Sequence, residues 1–154
     1  MNKQMMTKDE LTELAARFAP ATEVSGEGVS VALVIVKDRL LELLRWLKEE
    51  ADYQFTLLSN ETAVDYSEYF ELVCHLYSCH RRQMLTVKAR CSKEEAAFPS
   101  LMPLWPGANF QEREIYDLLG LTFTGHPQLQ RILLPAEFTG HPLRKDFKAT
   151  GQEV

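Results

Sequence analysis

Long apolar runs are missing from this chain of 154 residues. No window approaches the roughly 18 consecutive apolar residues of a spanning helix. The first residues, Met1 to Pro20, are broken by charges before an apolar stretch of signal-peptide length develops. A soluble chain is the expectation. Cysteine is scarce, with Cys74, Cys79 and Cys91 alone. An odd number without a secretory context argues against a disulfide framework and for reduced thiols. Cations are outnumbered, 17 Lys and Arg against 22 Asp and Glu for a net charge of -5. A general attraction to phosphate backbones or anionic lipid is thereby excluded, and nucleic acid is not an expected partner. Catalytic signatures are absent too: the sequence holds no Gly-x-Gly-x-x-Gly, no P-loop, no Gly-x-Ser-x-Gly and no His-Glu-x-x-His.

What is present has the balance of one globular domain, 45% hydrophobic and 25% charged. Thr7 and Glu10 have the spacing of a capping box, and Leu11, Leu14, Ala15 and Phe18 follow at helical intervals until Pro20. Val29 to Val36 is rich in β-branched residues and is expected as a strand buried on both faces. Asp38 is placed to cap a helix whose wide apolar stripe runs from Leu40 to Leu47. Short apolar and aromatic runs follow at Phe55 to Leu58 and Thr62 to Tyr66. Residues 70–77 and 85–91 then alternate in phase as two strands of a hairpin. The expected architecture is α+β, with helices packed on a mixed, largely antiparallel sheet and a C-terminal helix and extended arm. Residues 1–106 are expected to form the sandwich. Residues 107–154 are expected to supply the helix and the arm of the same domain.

Pro99, Pro103 and Pro106 precede a helical stretch from about Ala108 to Leu119, and Gly120 is placed to end it. Beyond it Gly125, Pro127, Pro135, Gly140 and Pro142 recur too often for a regular element to persist, yet Ile132, Leu133, Leu134, Leu143 and Phe147 are interspersed. An arm of this kind, from Leu121 to Phe147, is expected to be less self-buried than the sheet and to lie against its own domain or another subunit.

Candidate chemistry is sparse. Cys74 and Cys91 fall in phase with apolar strand neighbours, as small buried hydrophobes do, and no Cys-x2-Cys pair accompanies them for a cluster. His126 and His141 stand in matching Thr-Gly-His-Pro contexts. Zinc there needs a further protein ligand, whereas Gly followed by His-Pro already suffices to redirect an extended backbone. Glu112, Arg113, Glu114 and Asp117 form the densest polar group. Glu112 and Glu114 point about 160° apart on a helix, while Arg113 and Asp117 are spaced for an i, i+4 pair. Either these charges are solvated, or one acid turns inward against an arginine, for which Arg144 and Lys145 are the nearest cations in the arm.

The run from Trp105 to Phe147 resembles the signature region of the thirty-kilodalton subunit, also called the C subunit, of proton-pumping NADH:quinone oxidoreductase (complex I). The matching elements are Glu112-Arg113-Glu114, Asp117, Gly120, Gly125-His126-Pro127, Arg131-Ile132-Leu133, Pro135 and Gly140-His141-Pro142-Leu143-Arg144-Lys145-Asp146-Phe147. The resemblance implies a non-catalytic structural subunit, with no catalytic, cofactor or metal residues of its own. FMN, iron–sulfur clusters and quinone would sit in neighbouring subunits. The implied partners are the large quinone-site subunit, of the D type, and other peripheral-arm subunits. The implied location is the cytoplasmic face of the cell membrane, held there only through the complex. Interface or structural roles would fall to Glu112, Arg113, Glu114, Asp117, Gly120, His126, Pro127, Arg131, Pro135, His141, Pro142, Arg144, Lys145 and Asp146. Related subunits occur in membrane-bound nickel–iron hydrogenases and formate hydrogenlyases. A stand-alone metal-binding protein or enzyme is the competing class.

Overall fold

The capping box forms as spaced: the Thr7 amide donates to Glu10 Oε2 at 2.7 Å, and the Glu10 amide to Thr7 Oγ1 at 3.2 Å. It opens the helix α1 (Lys8–Arg17), which buries Leu11, Leu14 and Ala15. The computed structural model describes residues 4–149. Within them lie three helices and a mixed sheet built from β1 (Gln4–Met5), β2 (Thr22–Ser25), β3 (Ala32–Val36), β4 (Leu57–Asp65), β5 (Tyr69–Ser78) and β6 (Gln83–Ser92). The strand order is β2-β3-β6-β5-β4, with β1 paired to the start of β6 on the edge that β3 also uses. β3 and β1 run parallel to β6; the other pairings are antiparallel. This is the mixed α+β arrangement that the hydropathy periods indicate. Leu33, Ile35, Leu72, Leu76 and Val87 meet Leu40, Leu43, Leu44 and Leu47 of α2 (Leu40–Glu49) in the core. Each such side chain contributes about 1.5–3 kcal/mol by leaving water, which is why an amphipathic stripe suffices to seat α2.

Two local expectations are corrected. The strand does not begin at Val29. Gly26 and Gly28 adopt positive φ and Ser30 Oγ bonds the Glu27 carbonyl, so residues 28–30 form a short 3-10 turn with Val29 in solvent. Asp38 does not cap α2 either. It lies in a second 3-10 turn, Lys37–Arg39, and Arg39 at the helix start pairs instead with Glu42 at 2.8 Å. The apolar runs after Tyr53 meet in one strand. Phe55 is core and β4 continues to Asp65 through an irregularity between Leu58 and Asn60.

β4 is an edge strand of the sheet, and α3 (Ala108–Leu119) covers it. The Glu61 amide, which faces away from β5, donates to the Gln111 side chain of α3. α3 ends where the sequence places its stop: Gly120 takes φ 72° and its amide bonds the Tyr116 carbonyl at 2.8 Å. A parallel two-stranded ribbon, β7 (Ala97–Pro99) with β8 (Thr122–Thr124), brackets the helix. From residue 121 to 147 the only regular element is β8. Leu121 and Phe123 are buried, but Ile132, Leu133 and Leu143 stay exposed, so the arm is less buried than the sheet, as its proline and glycine spacing predicts. Among the described residues no helix is long and apolar enough to cross a membrane.

Candidate functional site: a charge clamp between helix and arm

Asp117 faces the arm from the last turns of α3 with its side chain fully buried. Its Oδ2 accepts the consecutive amides of Ile132, Leu133 and Leu134 at 3.1, 2.7 and 2.9 Å, and its Oδ1 accepts Arg131 Nη1 at 2.8 Å. Burial pushes this carboxyl up, yet the Arg131 bond and the three amides outweigh it and hold it below the usual aspartate value. The i, i+4 pair expected between Arg113 and Asp117 is therefore not made. The arm supplies Arg131 with a better approach, and Arg113 donates to the carbonyls of Gln130 and Arg131, both at 3.1 Å. Arg113 from the helix and Arg131 from the arm thus tie one turn of the arm to α3.

The second half of the arm returns over the C-terminus of α3. Arg131 Nη2 reaches the Gly140 carbonyl at 2.7 Å, and His141 Nδ1 lies 3.0 Å from the Asp117 carbonyl. The Leu143 amide bonds the Leu118 carbonyl at 2.9 Å, and Arg144 donates to the carbonyls of Leu119 and Gly120. A cation on the last free carbonyls of a helix is favoured by both hydrogen bonding and the helix dipole. Arg144 therefore closes α3 through its terminal carbonyls rather than pairing with one of its acids. Gly120 is required here twice over: its φ is left-handed, and a Cβ would stand 2.5 Å from the His141 ring. Lys145 is tied by its amide to Asp65 Oδ2 of β4 at 3.0 Å, and Lys93 forms an ion pair with the same carboxylate.

A third cluster lies at the other end of α3. Glu112, with no exposed surface, accepts Ser100 Oγ at 2.7 Å and the Leu101 amide at 2.6 Å, fixing the loop that enters the helix. Two acids of the signature thus turn inward: Asp117 meets an arginine, Arg131, whereas Glu112 meets a loop. The His126 ring is buried beside it. Its Nδ1 accepts the Gln128 amide at 3.0 Å, which leaves the proton on Nε2, directed at the Asn109 carbonyl at 3.4 Å and 4.0 Å from Glu112. Glu61 of β4 is also buried there, within hydrogen-bonding reach of Glu112. Burial, and next the Glu112 charge, push Glu61 well above the glutamate range; burial raises Glu112 as well.

Of the remaining signature residues, Glu114, Pro127, Pro135 and Asp146 are exposed and Pro142 is half-buried. Glu114 stands at a groove between β4 and α3 that Ala63, Ile115, Leu118 and Leu143 also line. The proline at 135 sets the turn in which its carbonyl accepts the Phe138 amide at 3.0 Å. Cys74 and Cys91 are buried and Cys79 is exposed; His75 lies on β5 and His80 in the hairpin turn. Glu61, Asp65 and Ser100 were not legible as members of this network. Glu61 and Asp65 are acids on the inward face of an edge strand, a reversal of hydropathic alternation that is visible only once β4 is in register.

These contacts define an α+β domain whose buried charged groups fix its own helix and arm, with apolar side chains left at the surface. The family model for the respiratory-chain NADH dehydrogenase 30 kDa subunit matches residues 33–153. The C subunit of the NADH-quinone oxidoreductase of Moorella thermoacetica is 47% identical, the match covering 91% of this chain and 95% of that one. The corresponding subunit of Rhodobacter capsulatus is 40% identical over 93% of this chain and 75% of its own. Among solved structures, the trypsin-resistant fragment of Nqo5 superposes with a TM-score of 0.68 at 26% identity, covering 80% of this chain and all of that fragment. A chain of the membrane-bound sulfane sulfur reductase, an archaeal respiratory membrane complex, gives a TM-score of 0.76 at 28% identity, covering 92% and 86%. The chain belongs to the complex I 30 kDa family, the C subunits of NADH-quinone oxidoreductase.

Proposed function

We propose that this subunit is a non-catalytic scaffold of the peripheral arm of a proton-pumping NADH:quinone oxidoreductase, seated against the quinone-site subunit at the cytoplasmic face of the membrane. The observation that carries the reading is the division of labour within the signature. Glu112, Arg113, Asp117, Arg131 and Arg144 make their hydrogen bonds within this chain, joining α3, its entry loop and the arm. The apolar side chains left exposed on this framework include Phe110, Leu133 and Leu143, and Leu143 lines a groove with Glu114. Rigid presentation of an apolar surface lowers the ordering cost of association, the physical service of a scaffold.

On this reading FMN, iron–sulfur clusters and quinone are held by neighbouring subunits. The experiment is purification of the tagged chain from membranes and, separately, from cells lacking the other subunits. The reading expects the large quinone-site subunit, flavin and iron to accompany the first preparation, and neither flavin nor iron to accompany the second. Stoichiometric iron, zinc or flavin on the chain alone would overturn it. The likeness to the sulfane sulfur reductase chain supports a second reading, in which the same scaffold serves a complex with another electron acceptor. Identification of the copurifying chains separates the two.

A further inference from the structure

We propose that Glu61 and Glu112 form a proton-binding site, in which the two carboxyl groups hold one proton between them, Glu61 neutral and donating to the Glu112 carboxylate, as a second polar tie between β4 and α3. The geometry is set by the backbone. The Glu61 amide is fixed to Gln111, so the neighbouring position on the helix, Glu112, is brought alongside the Glu61 side chain. Glu61 keeps 3% of its surface exposed and Glu112 none. Their donors are unevenly divided. Glu112 accepts from Ser100 and Leu101, whereas neither carboxyl oxygen of Glu61 meets a donor. A buried carboxylate without donors is untenable, because the loss of hydration goes uncompensated. A protonated Glu61 resolves this with its own O–H, and the acceptor within reach is Glu112.

The groups facing the pair supply no cation to take the proton's place. β5 presents the Cys74 thiol, directly opposite Glu61 in the strand register, itself pushed up by burial. α3 presents Glu112, and the segment before it presents the Ser100 hydroxyl and the Leu101 amide. The arm presents His126, whose Nδ1 is occupied as an acceptor by the Gln128 amide, so its neutral ring adds one N–H 4.0 Å from Glu112. Among the described residues no Lys or Arg pairs with either carboxyl. Two like charges at this separation in a dry environment do not both ionise, and they titrate as a pair.

The test is the pH dependence of unfolding of the full chain, wild type beside Glu61→Gln. The side-chain amide of that variant keeps the volume and the donor but has no proton to lose. Because the pair's acid is raised, its stabilisation is complete below the ordinary glutamate range and is lost as pH rises through the folded value. The wild-type folding constant should therefore fall by up to about tenfold per pH unit above that range, relative to the variant. Glu61→Gln should be the more stable chain at pH 7 and above, with the difference closing on acidification. Infrared or 13C-glutamate spectroscopy of the wild type should show one protonated carboxyl persisting at neutral pH and absent from Glu61→Gln. Parallel pH profiles, or glutamates all ionised at neutral pH in the folded wild type, would overturn the proposal. The spectroscopic arm decides the matter even where the variant folds poorly.

Discussion

Replacement of Asp117 by Asn changes no volume and removes one charge from the centre of the clamp. The carboxylate accepts three backbone amides and one guanidinium N–H. Asparagine keeps one acceptor oxygen, turns an N–H toward donors, and strands Arg131. Truncating one member of a buried pair costs about 3–5 kcal/mol. The lower end applies here, because Arg131 keeps 12% of its side chain exposed and the arm over it is largely open to solvent. The loss falls on the arm rather than on the sheet, since every partner of the Asp117 carboxylate lies on the arm. Amide exchange at Ile132, Leu133 and Leu134 should therefore accelerate on the order of a hundredfold, a factor of ten per 1.36 kcal/mol. Protection of Leu72, Leu76 and Val87 should change far less. The sign with pH is also fixed. Asp117 is held below its ordinary value, so its contribution is present at neutral pH and is lost only as pH falls through about 3.9 and below. Unchanged exchange at the three amides, or a loss of protection shared equally by the sheet, would refute the reasoning.

Other perturbations separate local roles. Gly120→Ala should lower the melting temperature and displace the His141 ring, read from its NMR shifts, because a Cβ at φ 72° meets that ring; left-handed strain alone costs about 1–2 kcal/mol. Cys79 should react with a thiol reagent in the folded chain while Cys74 and Cys91 react only on unfolding, and equal rates for all three would contradict the burial. Ser100→Ala should remove one of the two donors fixing Glu112 and destabilise the chain by about 1–3 kcal/mol in denaturant titration, with a larger loss than for Thr124→Ala at an exposed position.

Much of this network was legible in outline and not in its partners. Capping, the α2 stripe, the strand phase of Cys74 and the stop at Gly120 are local signals, carried by residues within one turn or one strand of each other. The Gly-x-Gly turn before β3 defeated a β-branched run because conformation at Gly26 and Gly28 outranks propensity at Val29. Partner assignments failed where the true partner lies far along the chain. Arg113 has Asp117 at helical spacing, but Arg131 and three amides arrive from 14 to 17 residues away and take the carboxylate first. Glu61 and Glu112 are separated by the β5–β6 hairpin and β7, and nothing local distinguishes Glu61 from a solvated strand acid.

The central claim, that the chain serves assembly and not chemistry, is tested most directly by quinone reductase activity per assembled complex beside the assembled fraction on a native gel. The informative variant is Leu133→Asp with Leu143→Asp, since both side chains are 61% exposed and their removal leaves the clamp intact. A scaffold role predicts less assembled complex and unchanged turnover in whatever assembles. Full assembly with lost turnover would contradict it.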